Sequence, residues 1–358
     1  MKKNFSKSKF IFAALIFLIT AIIVFSFAGC KNNEVTNASQ NLSSTSTSQI
    51  SAISNTSQTT ETTVAQETTT STTKQIPIEV TDGFGNKITL DKPAQKLIVF
   101  SPSDLEILAG LNAMDKVVEV DSWSVQNNEP LAKGFKGAGD ANGINFETVT
   151  KLNPDLIIGI NMTGNDDYKK LNDLGFKVYL SNTTSLEGTY NEIENIGKII
   201  GKEEEGKKLS DDLKLQVDEI YNKVKDIPND KKPKVFYLVW NDPIMSAGKN
   251  TFINDLIEKA GGINIVAMDG LSDWPEYSIE KLIKNNPDII IAPYSLAATP
   301  DKILKDKKFS TIKAVKDKKV FTIPDNPISR PNQNVIKGLK MLSMAIHPEI
   351  FGEFKVIE

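Results

Sequence analysis

The stretch KKLSDDLKLQVDEIYNKVKDI, residues 207–227, predicts one long α-helix in the middle of the folded part of the chain. It contains neither glycine nor proline, and its apolar side chains recur every three or four residues, as on one face of a helix. These side chains belong to Leu209, Leu213, Val217, Ile220, Val224 and Ile227. The acidic run Glu203 to Glu205 lies where the helix dipole favours negative charge, and Pro228 is expected to end the helix after about 32 Å.

Two copies of one motif flank this helix. FETVTKLNPDLII, residues 146–158, and IEKLIKNNPDIII, residues 279–291, are identical at seven of thirteen positions. Each copy predicts a short helix, a Pro-Asp break and a continuous apolar run, which is typical of a strand buried on both faces. The repeat therefore indicates two similar lobes joined by the long helix.

Composition narrows the class of protein. With 358 residues and a hydrophobic fraction of 40%, the chain can form two lobes of ordinary size. The formal charge is −3 and no basic patch indicates a nucleic-acid partner. The single cysteine excludes a disulfide framework, and the single histidine, His347, excludes a histidine-rich metal site. His347 stands in a His-Pro-Glu run and is expected at a solvated helix end.

The N-terminal part has the layout of an export signal and a linker. Residues 1–29 contain four lysines, then the apolar run 10–27, and Cys30 follows. An uncleaved membrane helix is the alternative, because the apolar run is just long enough to span a bilayer. Serine and threonine make up 22 of the 45 residues from Lys31 to Gln75, so residues 30–75 are expected to be a disordered linker.

From residue 76 onward, strands and helices alternate, which is typical of α/β proteins with parallel sheets. The predicted strands that we use below span residues 97–100, 117–120, 156–160, 178–180, 235–240 and 320–323. Ser103 or Asp104 is expected to cap the helix after the first of them. The predicted fold is therefore two Rossmann-like α/β lobes, residues 76–185 and 229–358. Helices in residues 186–228 join them, and these include the long helix, which we call the spine.

Side chains that follow the strands are candidates for ligand contact, because ligands of open parallel sheets bind beyond the carboxyl ends of the strands. Such positions are occupied by Ser101, Ser103, Trp123, Asn161, Met162, Trp240, Tyr294 and Arg330. Arg330 is the only arginine in the chain and is a candidate for contact with a ligand carboxylate or amide. A surface ion pair is the alternative.

Residues 76–358 as a whole resemble the substrate-binding proteins of ABC importers for iron siderophores, haem and cobalamin. The motifs that carry the resemblance are TDGFGNKITLDKPAQKLIVFSPSDLEIL (81–108), GINFETVTKLNPDLII (143–158), SAGKNTFINDLIEKAGGINI (246–265), DWPEYSIEKLIKNNPDIII (273–291) and AIHPEIF (345–351). The resemblance implies a ligand cleft between two lobes that one rigid helix joins. It also implies a monomeric binding protein, without enzymatic activity or a cofactor of its own, that delivers its ligand to a permease dimer with cytoplasmic ATPase subunits.

Two further expectations follow from family resemblance. Residues 1–30 resemble a bacterial lipoprotein signal, in which the cysteine, here Cys30, becomes the lipidated first residue and anchors the protein at the extracellular face of the membrane. The family also carries one glutamate on each lobe that docks against the permease, and by motif these are Glu147 and Glu280. The alternative is that each glutamate only stabilises the first turn of its helix.

The resemblance places all three tryptophans, Trp123, Trp240 and Trp274, near the cleft. Tryptophan offers a large rigid face for stacking on a planar macrocycle, and core packing is the alternative, above all for Trp240. The family often has Gly-Pro-Arg after Arg330, whereas residues 332–334 of this chain are Asn-Gln-Asn, so a second pocket arginine is missing.

Three tryptophans with little positive charge favour a large, nearly neutral corrinoid such as cobalamin as the ligand. Ferric siderophores and haem are the alternatives, with Met162 or Tyr294 as candidate axial ligands of haem. Bare zinc or manganese is not expected with one histidine. A sensor lipoprotein with the same lobes is a further alternative. An enzyme is not expected, since the folded part has neither a G-x-S-x-G motif nor a cysteine nucleophile.

Overall fold

The computed structural model describes residues 77–140, 142–160, 165–297 and 299–357. The export signal, Cys30 and the linker therefore lie outside the described residues, as do Asn161 and Met162. The described residues belong to a single compact unit, so the lobe boundaries at residues 185 and 228 stay a prediction.

The N-terminal lobe has one parallel sheet. Its strands are β1 (Ile78–Thr81), β2 (Lys87–Leu90), β3 (Leu97–Val99), β4 (Val117–Val120), β5 (Gly139–Asp140), β6 (Gly143–Ile144), β7 (Leu156–Ile160) and β8 (Val178–Ser181). Its helices are α1 (Pro102–Gly110), α2 (Ser122–Gln126), α3 (Phe146–Leu152) and α4 (Asn165–Asp173). The parallel sheet has the order β4-β3-β7-β8, and β1 with β2 and β5 with β6 form antiparallel pairs. The four predicted strands of this lobe are confirmed to within one residue at each end.

The expected cap of α1 is wrong. The helix begins at Pro102, and the backbone N–H of Asp104 donates to the hydroxyl oxygen of Ser101 at 3.3 Å. The cap is therefore Ser101, because the chain becomes helical before Ser103. Asp104 instead turns its carboxyl group into the lobe, where it is buried.

The helix pair that joins the lobes is α5 (Leu186–Ile200) with α6 (Glu203–Val224). The helix α6 is the predicted spine, and the buried side chains Leu213, Val217, Ile220 and Val224 confirm its predicted apolar face. It begins four residues earlier than predicted, at Glu203, and ends three residues earlier. The helix α5 packs on α1 and β1 of the N-terminal lobe.

The C-terminal lobe has a mixed sheet. Its strands are β9 (Lys234–Asn241), β10 (Ile244–Ser246), β11 (Ile263–Asn264), β12 (Ile289–Pro293) and β13 (Val320–Ile323). Its helices are α7 (Phe252–Lys259), α8 (Ile265–Met268), α9 (Ile279–Asn285), α10 (Asp301–Leu304), α11 (Lys313–Lys316), α12 (Asn326–Ser329), α13 (Val335–Ile346) and α14 (Pro348–Phe351). The order is β10-β9-β12-β13, with β11 beside β9. All strand pairs of this sheet are parallel except β10 with β9, which is antiparallel. The spine helix α6 packs on α7 and α13 of this lobe.

The sequence repeat is also a repeat of structure. The helices α3 and α9 have seven residues each, and each ends at an asparagine in the left-handed conformation, Asn153 with φ 46° and Asn286 with φ 45°. The carboxylates of Asp155 and Asp288 then accept backbone N–H groups at the start of a neighbouring strand, among them that of Lys234 at 2.9 Å. The Pro-Asp break thus fixes each helix to the sheet of its own lobe.

His347 is not solvated, and that expectation is wrong. The side chain is 3% exposed, and its Nε2 lies 3.1 Å from the carbonyl oxygen of Gly261 at the end of α7. Its Nδ1 lies 2.9 Å from the carboxylate of Glu349.

Among the described residues, no helix is long and apolar enough to cross a membrane.

The contact between α5 and α6 requires glycine. An added Cβ on Gly197 would lie 2.9 Å from the Gly206 Cα and 2.9 Å from the Lys202 carbonyl oxygen, and both are backbone atoms that a side-chain movement cannot relieve. The two helices therefore meet backbone to backbone at this point.

We predict that Gly197→Ala lowers the free energy of unfolding by about 1 to 3 kcal/mol, because the methyl group must push the helices apart. This loss would occur although alanine is the better helix former by about 1 kcal/mol. Chemical denaturation measures it, with Asn222→Ala on the exposed side of α6 as the control that gains helix propensity without a clash. A stabilised Gly197→Ala protein would contradict the close contact.

Candidate functional site

The strands of both lobes end at loops that carry the predicted ligand contacts. In the N-terminal lobe, Ser101 follows β3 and Asp121 follows β4. In the C-terminal lobe, Tyr294 follows β12, and its backbone N–H donates to the Ile323 carbonyl at the end of β13. Arg330, in the segment after β13, contacts α1 and the loop after α2 of the N-terminal lobe.

Arg330 forms ion pairs with two glutamates of the other lobe. Its Nη1 donates to Glu106 Oε1 at 2.8 Å, and its Nη2 donates to Glu129 Oε1 at 2.9 Å. Nη1 also lies 3.4 Å from Glu129 Oε2. The guanidinium side chain is only 11% exposed. Arg330 is therefore neither at a free position in the cleft nor in a solvated surface pair, because it joins the two lobes.

The Asn-Gln-Asn run fixes Glu106 in place. The side-chain amides of Asn332 and Asn334 donate to Glu106 Oε2 at 3.0 and 2.8 Å, and the amide of Gln333 donates to the Glu106 carbonyl oxygen at 2.7 Å. The residues of this run thus bind α1 of the opposite lobe. We call Glu106, Glu129, Arg330, Asn332 and Asn334 the inter-lobe cluster.

Sequence reasoning missed both glutamates of the inter-lobe cluster. Glu106 lies inside α1 and Glu129 lies in the loop after α2, so neither follows a strand directly. The one available signal was the single arginine of the chain, because a buried guanidinium needs carboxylate partners. The sequence did not indicate which carboxylates these are, because Glu106 and Glu129 lie 224 and 201 residues away from Arg330.

Trp123 lies next to this cluster. It is half-buried on α2, and its ring centroid is 5.9 Å from the Arg330 Cζ. The neighbouring Asp121 is buried, and its Oδ1 accepts the backbone N–H of Ser124 at 2.7 Å. Burial raises the pKa of the Asp121 carboxyl, against the hydrogen bonds from Ser124 and the positive charge of Arg330. Its Oδ2 has no hydrogen-bond partner among the described residues.

The aromatic residues of the C-terminal lobe differ in exposure. Trp274 is 38% exposed and Tyr294 is 36% exposed, so both offer ring surface to a ligand. Trp240 packs against the core of its lobe and donates its Nε1–H to the Asp242 carbonyl oxygen at 2.9 Å. Trp240 pairs with Met245 across the β9–β10 hairpin, and Met245 pairs in turn with Glu276. Two strand spacings, about 10 Å, therefore separate Trp240 from the segment that contains Trp274.

The two serines have little surface to offer. Ser101 is buried and its hydroxyl oxygen caps α1, whereas Ser103 is half-buried on the first turn of that helix. Ligand contact by either serine stays a prediction, as it does for the tryptophans and Tyr294.

Two buried carboxyl groups hold α1 in position. Ser181 Oγ lies 2.5 Å from Asp104 Oδ2 and 2.9 Å from Glu192 Oε1, and Tyr179 also donates its hydroxyl proton to Glu192 at 3.0 Å. Because the Ser181 hydroxyl has one proton, it can donate to only one of the two carboxyls, and the other is expected to be protonated. Burial raises the pKa of Asp104 to about 6, and burial together with the nearby Asp104 raises the pKa of Glu192.

The two predicted docking glutamates occupy equivalent places. Glu147 and Glu280 are exposed and lie in the first turns of α3 and α9. A helix before a parallel strand runs opposite to it, so its N-terminus lies at the carboxyl edge of the sheet, where the ligand loops also lie. Hydrogen bonds from its own backbone N–H and from Ser278 lower the pKa of Glu280 and keep it ionised.

The described residues do not contain a group of three or more histidine, cysteine, aspartate or glutamate side chains that could hold a metal ion. The side chains that the structure brings together here are Arg330, the carboxylates and amides of the inter-lobe cluster, and the Trp123 ring. This set offers a ring face and hydrogen-bonding groups and lacks the ligands of a metal site.

Comparison with known proteins identifies relatives of this chain. A family model described as periplasmic binding protein matches residues 97–327. An ABC transporter substrate-binding lipoprotein of Bacillus subtilis is 30% identical and covers 78% of this chain and 89% of its own length. A cobalamin-binding protein of Halobacterium salinarum is 25% identical, over 76% of this chain and 74% of the relative.

Solved structures show the same fold. A possible iron-binding (periplasmic solute-binding) protein of Staphylococcus epidermidis has 33% identity and a TM-score of 0.62, and the match covers 72% of this chain and 100% of that chain. A vitamin B12 binding protein of Vibrio cholerae has 23% identity and a TM-score of 0.60, over 71% of this chain and 97% of that one. The predicted α/β fold class is therefore confirmed.

We predict that the free energy of unfolding decreases as pH rises from about 4 through about 6, because the raised pKa of Asp104 makes the folded protein bind the proton more tightly than the unfolded chain. Glu192→Gln removes one of the coupled acids, so it should flatten this dependence and stabilise the protein at pH 8 by about 1 to 3 kcal/mol. Urea denaturation at a series of pH values measures both effects.

The control for this prediction is Glu187→Gln, an exposed glutamate on the same helix, which should leave the pH dependence unchanged. If the Glu192→Gln protein unfolds more easily than the unaltered protein at pH 8, the ionised Glu192 carboxylate is stabilising. The inference that one of the two buried carboxyl groups carries a proton is then wrong.

Proposed function

Because the chain belongs to the periplasmic binding protein family and is an ABC transporter substrate-binding protein of the class that binds vitamin B12, siderophores and haem, we propose that its ligand is a corrinoid such as cobalamin. The ligand would bind between the lobes and be passed to a permease dimer driven by ATPase subunits.

The observation that carries the choice of ligand is the state of Arg330. It is the only arginine in the chain, and two glutamates hold its guanidinium. An anionic ferric siderophore is expected to need free cationic groups in its site, since transfer of its charge out of water is costly. A nearly neutral corrinoid needs ring contacts instead, and Trp123, Trp274 and Tyr294 can supply them.

Three alternatives stay open in this proposal. A neutral ferric hydroxamate fits the same argument about charge. Haem would need an axial ligand, for which Tyr294 has a partly exposed ring. A sensor lipoprotein would bind a similar molecule without a permease, and neighbouring permease and ATPase genes would argue against it.

We also propose that Cys30 is lipidated and that residues 30–75 tether the folded part at the extracellular face of the cell membrane. The name of the Bacillus subtilis relative, a substrate-binding lipoprotein, supports this placement. We further propose that the protein acts as a monomer, without a cofactor of its own and without enzymatic activity.

We predict that Trp274→Ala weakens binding of cyanocobalamin by about 1 to 3 kcal/mol, because an exposed ring face is lost from the site. Calorimetric titration of the full chain in detergent measures the change. Phe84→Ala is the control, since Phe84 is an exposed aromatic residue on the β1–β2 turn.

Unchanged affinity in a folded Trp274→Ala protein would remove this residue from the site. If the unaltered protein binds neither cyanocobalamin nor haem nor any ferric chelate, the proposed ligand class is wrong.

We predict that Glu147→Lys combined with Glu280→Lys abolishes transport and leaves ligand affinity within about twofold, because both side chains are exposed helix-end charges outside the cleft loops. Paired titration and uptake assays measure the two effects. The control is Glu219→Lys combined with Glu353→Lys, which makes the same change in net charge at other exposed positions.

Normal uptake by the first double variant would show that Glu147 and Glu280 only stabilise their helices. Loss of ligand binding would place them in the cleft instead.

A further inference from the structure

The inter-lobe cluster contains more negative charge than its arginine requires. Arg330 faces Glu106 at 2.8 Å and Glu129 at 2.9 Å, and one carboxylate would neutralise it. All three side chains are largely buried, with exposed fractions of 11%, 15% and 19% for Arg330, Glu106 and Glu129. An excess carboxylate at such a place is costly to the folded state, so pairing with Arg330 alone does not account for it.

The two glutamates do not have equivalent surroundings. Glu106 accepts hydrogen bonds from Asn332 and Asn334 as well as from Arg330, so it has a structural role in joining the lobes. The hydrogen bonds of the Glu129 carboxylate come from Arg330. Glu129 is therefore the carboxylate whose charge can change with the least effect on how the lobes are joined.

The inter-lobe cluster lies beside Trp123, one of the predicted ligand contacts. Arg330 lies over the Trp123 ring, and Glu129 belongs to the loop that follows the helix of Trp123. The buried Asp121, which caps that helix, lies near enough to Arg330 for their charges to interact. One cation with three acidic side chains gives the region around Trp123 an excess of acidic groups.

We propose that Glu129 is a specificity-determining residue that excludes anionic chelates from the cleft and admits neutral or cationic ones. The inference rests on the proposed function, because it assumes that the cleft binds a metal chelate. Discrimination of this kind comes from repulsion of the wrong ligand rather than from added attraction to the right one. It acts mainly on ligands that place negative charge near Trp123.

The test compares binding of three probes to the full chain: cyanocobalamin, a neutral ferric trihydroxamate and an anionic ferric triscatecholate. The unaltered protein should bind at least one neutral probe and bind the triscatecholate about 100-fold more weakly or not at all. Glu129→Gln keeps the size of the side chain and an oxygen for Arg330 but removes the charge. It should strengthen triscatecholate binding by about tenfold or more and leave neutral probes within about twofold.

Two further variants separate charge from geometry. Glu129→Asp keeps the charge on a shorter side chain, so it should still exclude the triscatecholate. Glu219→Gln removes an exposed carboxylate from the spine and should change binding of no probe. The gain in Glu129→Gln should also shrink in 1 M salt, where the screening length is about 3 Å.

The outcomes distinguish this inference from the proposed function. If the unaltered protein binds a neutral chelate and Glu129→Gln gains no triscatecholate binding, the role of Glu129 is overturned and the proposed function stands. Equal gains for all three probes, or a gain in Glu129→Asp as large as in Glu129→Gln, also overturn it. If no chelate binds to the unaltered protein, the proposed function fails and the inference fails with it.

Discussion

The backbone contact between Gly197 and Gly206 is the constraint on which the arrangement of the lobes depends. The helices α5 and α6 can pack this closely only because neither residue has a Cβ, since a Cβ on Gly197 would lie 2.9 Å from the Gly206 Cα. The helix α5 packs on α1 and β1 of the N-terminal lobe and also touches α7, whereas α6 packs on α7 and α13 of the C-terminal lobe. The distance between the two helix axes therefore helps to set how the two lobes are placed relative to each other.

A second connection between the lobes is polar. Arg330 and the amides of Asn332 and Asn334 reach Glu106 on the opposite lobe, and each donor finds an acceptor at 2.8 to 3.0 Å. Partly buried charges are tolerated only when their hydrogen bonds are satisfied, so this cluster constrains the position of α1 relative to the C-terminal lobe. Arg330 also pairs with Glu129, so both terminal nitrogens of its guanidinium donate to carboxylates of the opposite lobe.

The interior of the N-terminal lobe supports this connection. Asp104 and Glu106 lie on the same helix, and the buried contact of Asp104 with Ser181 fixes that helix to the end of β8. Glu192 on α5 shares the same serine, so the buried carboxyl pair also connects α1 to the helix pair. A change in protonation at this pair would act on the element that carries Glu106. This connects the acid-base chemistry of the core to the inter-lobe cluster.

Local patterns in the sequence determined the elements of this fold. The 3.6-residue spacing of Leu213, Val217, Ile220 and Val224 predicted the spine, and the unbroken apolar runs predicted buried strands, because each pattern depends only on which side of its own element is buried. The internal repeat predicted two lobes and the equivalent positions of Glu147 and Glu280. The tertiary structure alone decided the state of Arg330, whose acidic contacts lie more than 200 residues away along the chain. It also decided the burial of His347 against Gly261 and the contact of Gly197 with Gly206. In each case the energy of the residue depends on a neighbour that its own segment does not contain, so no local period could reveal it.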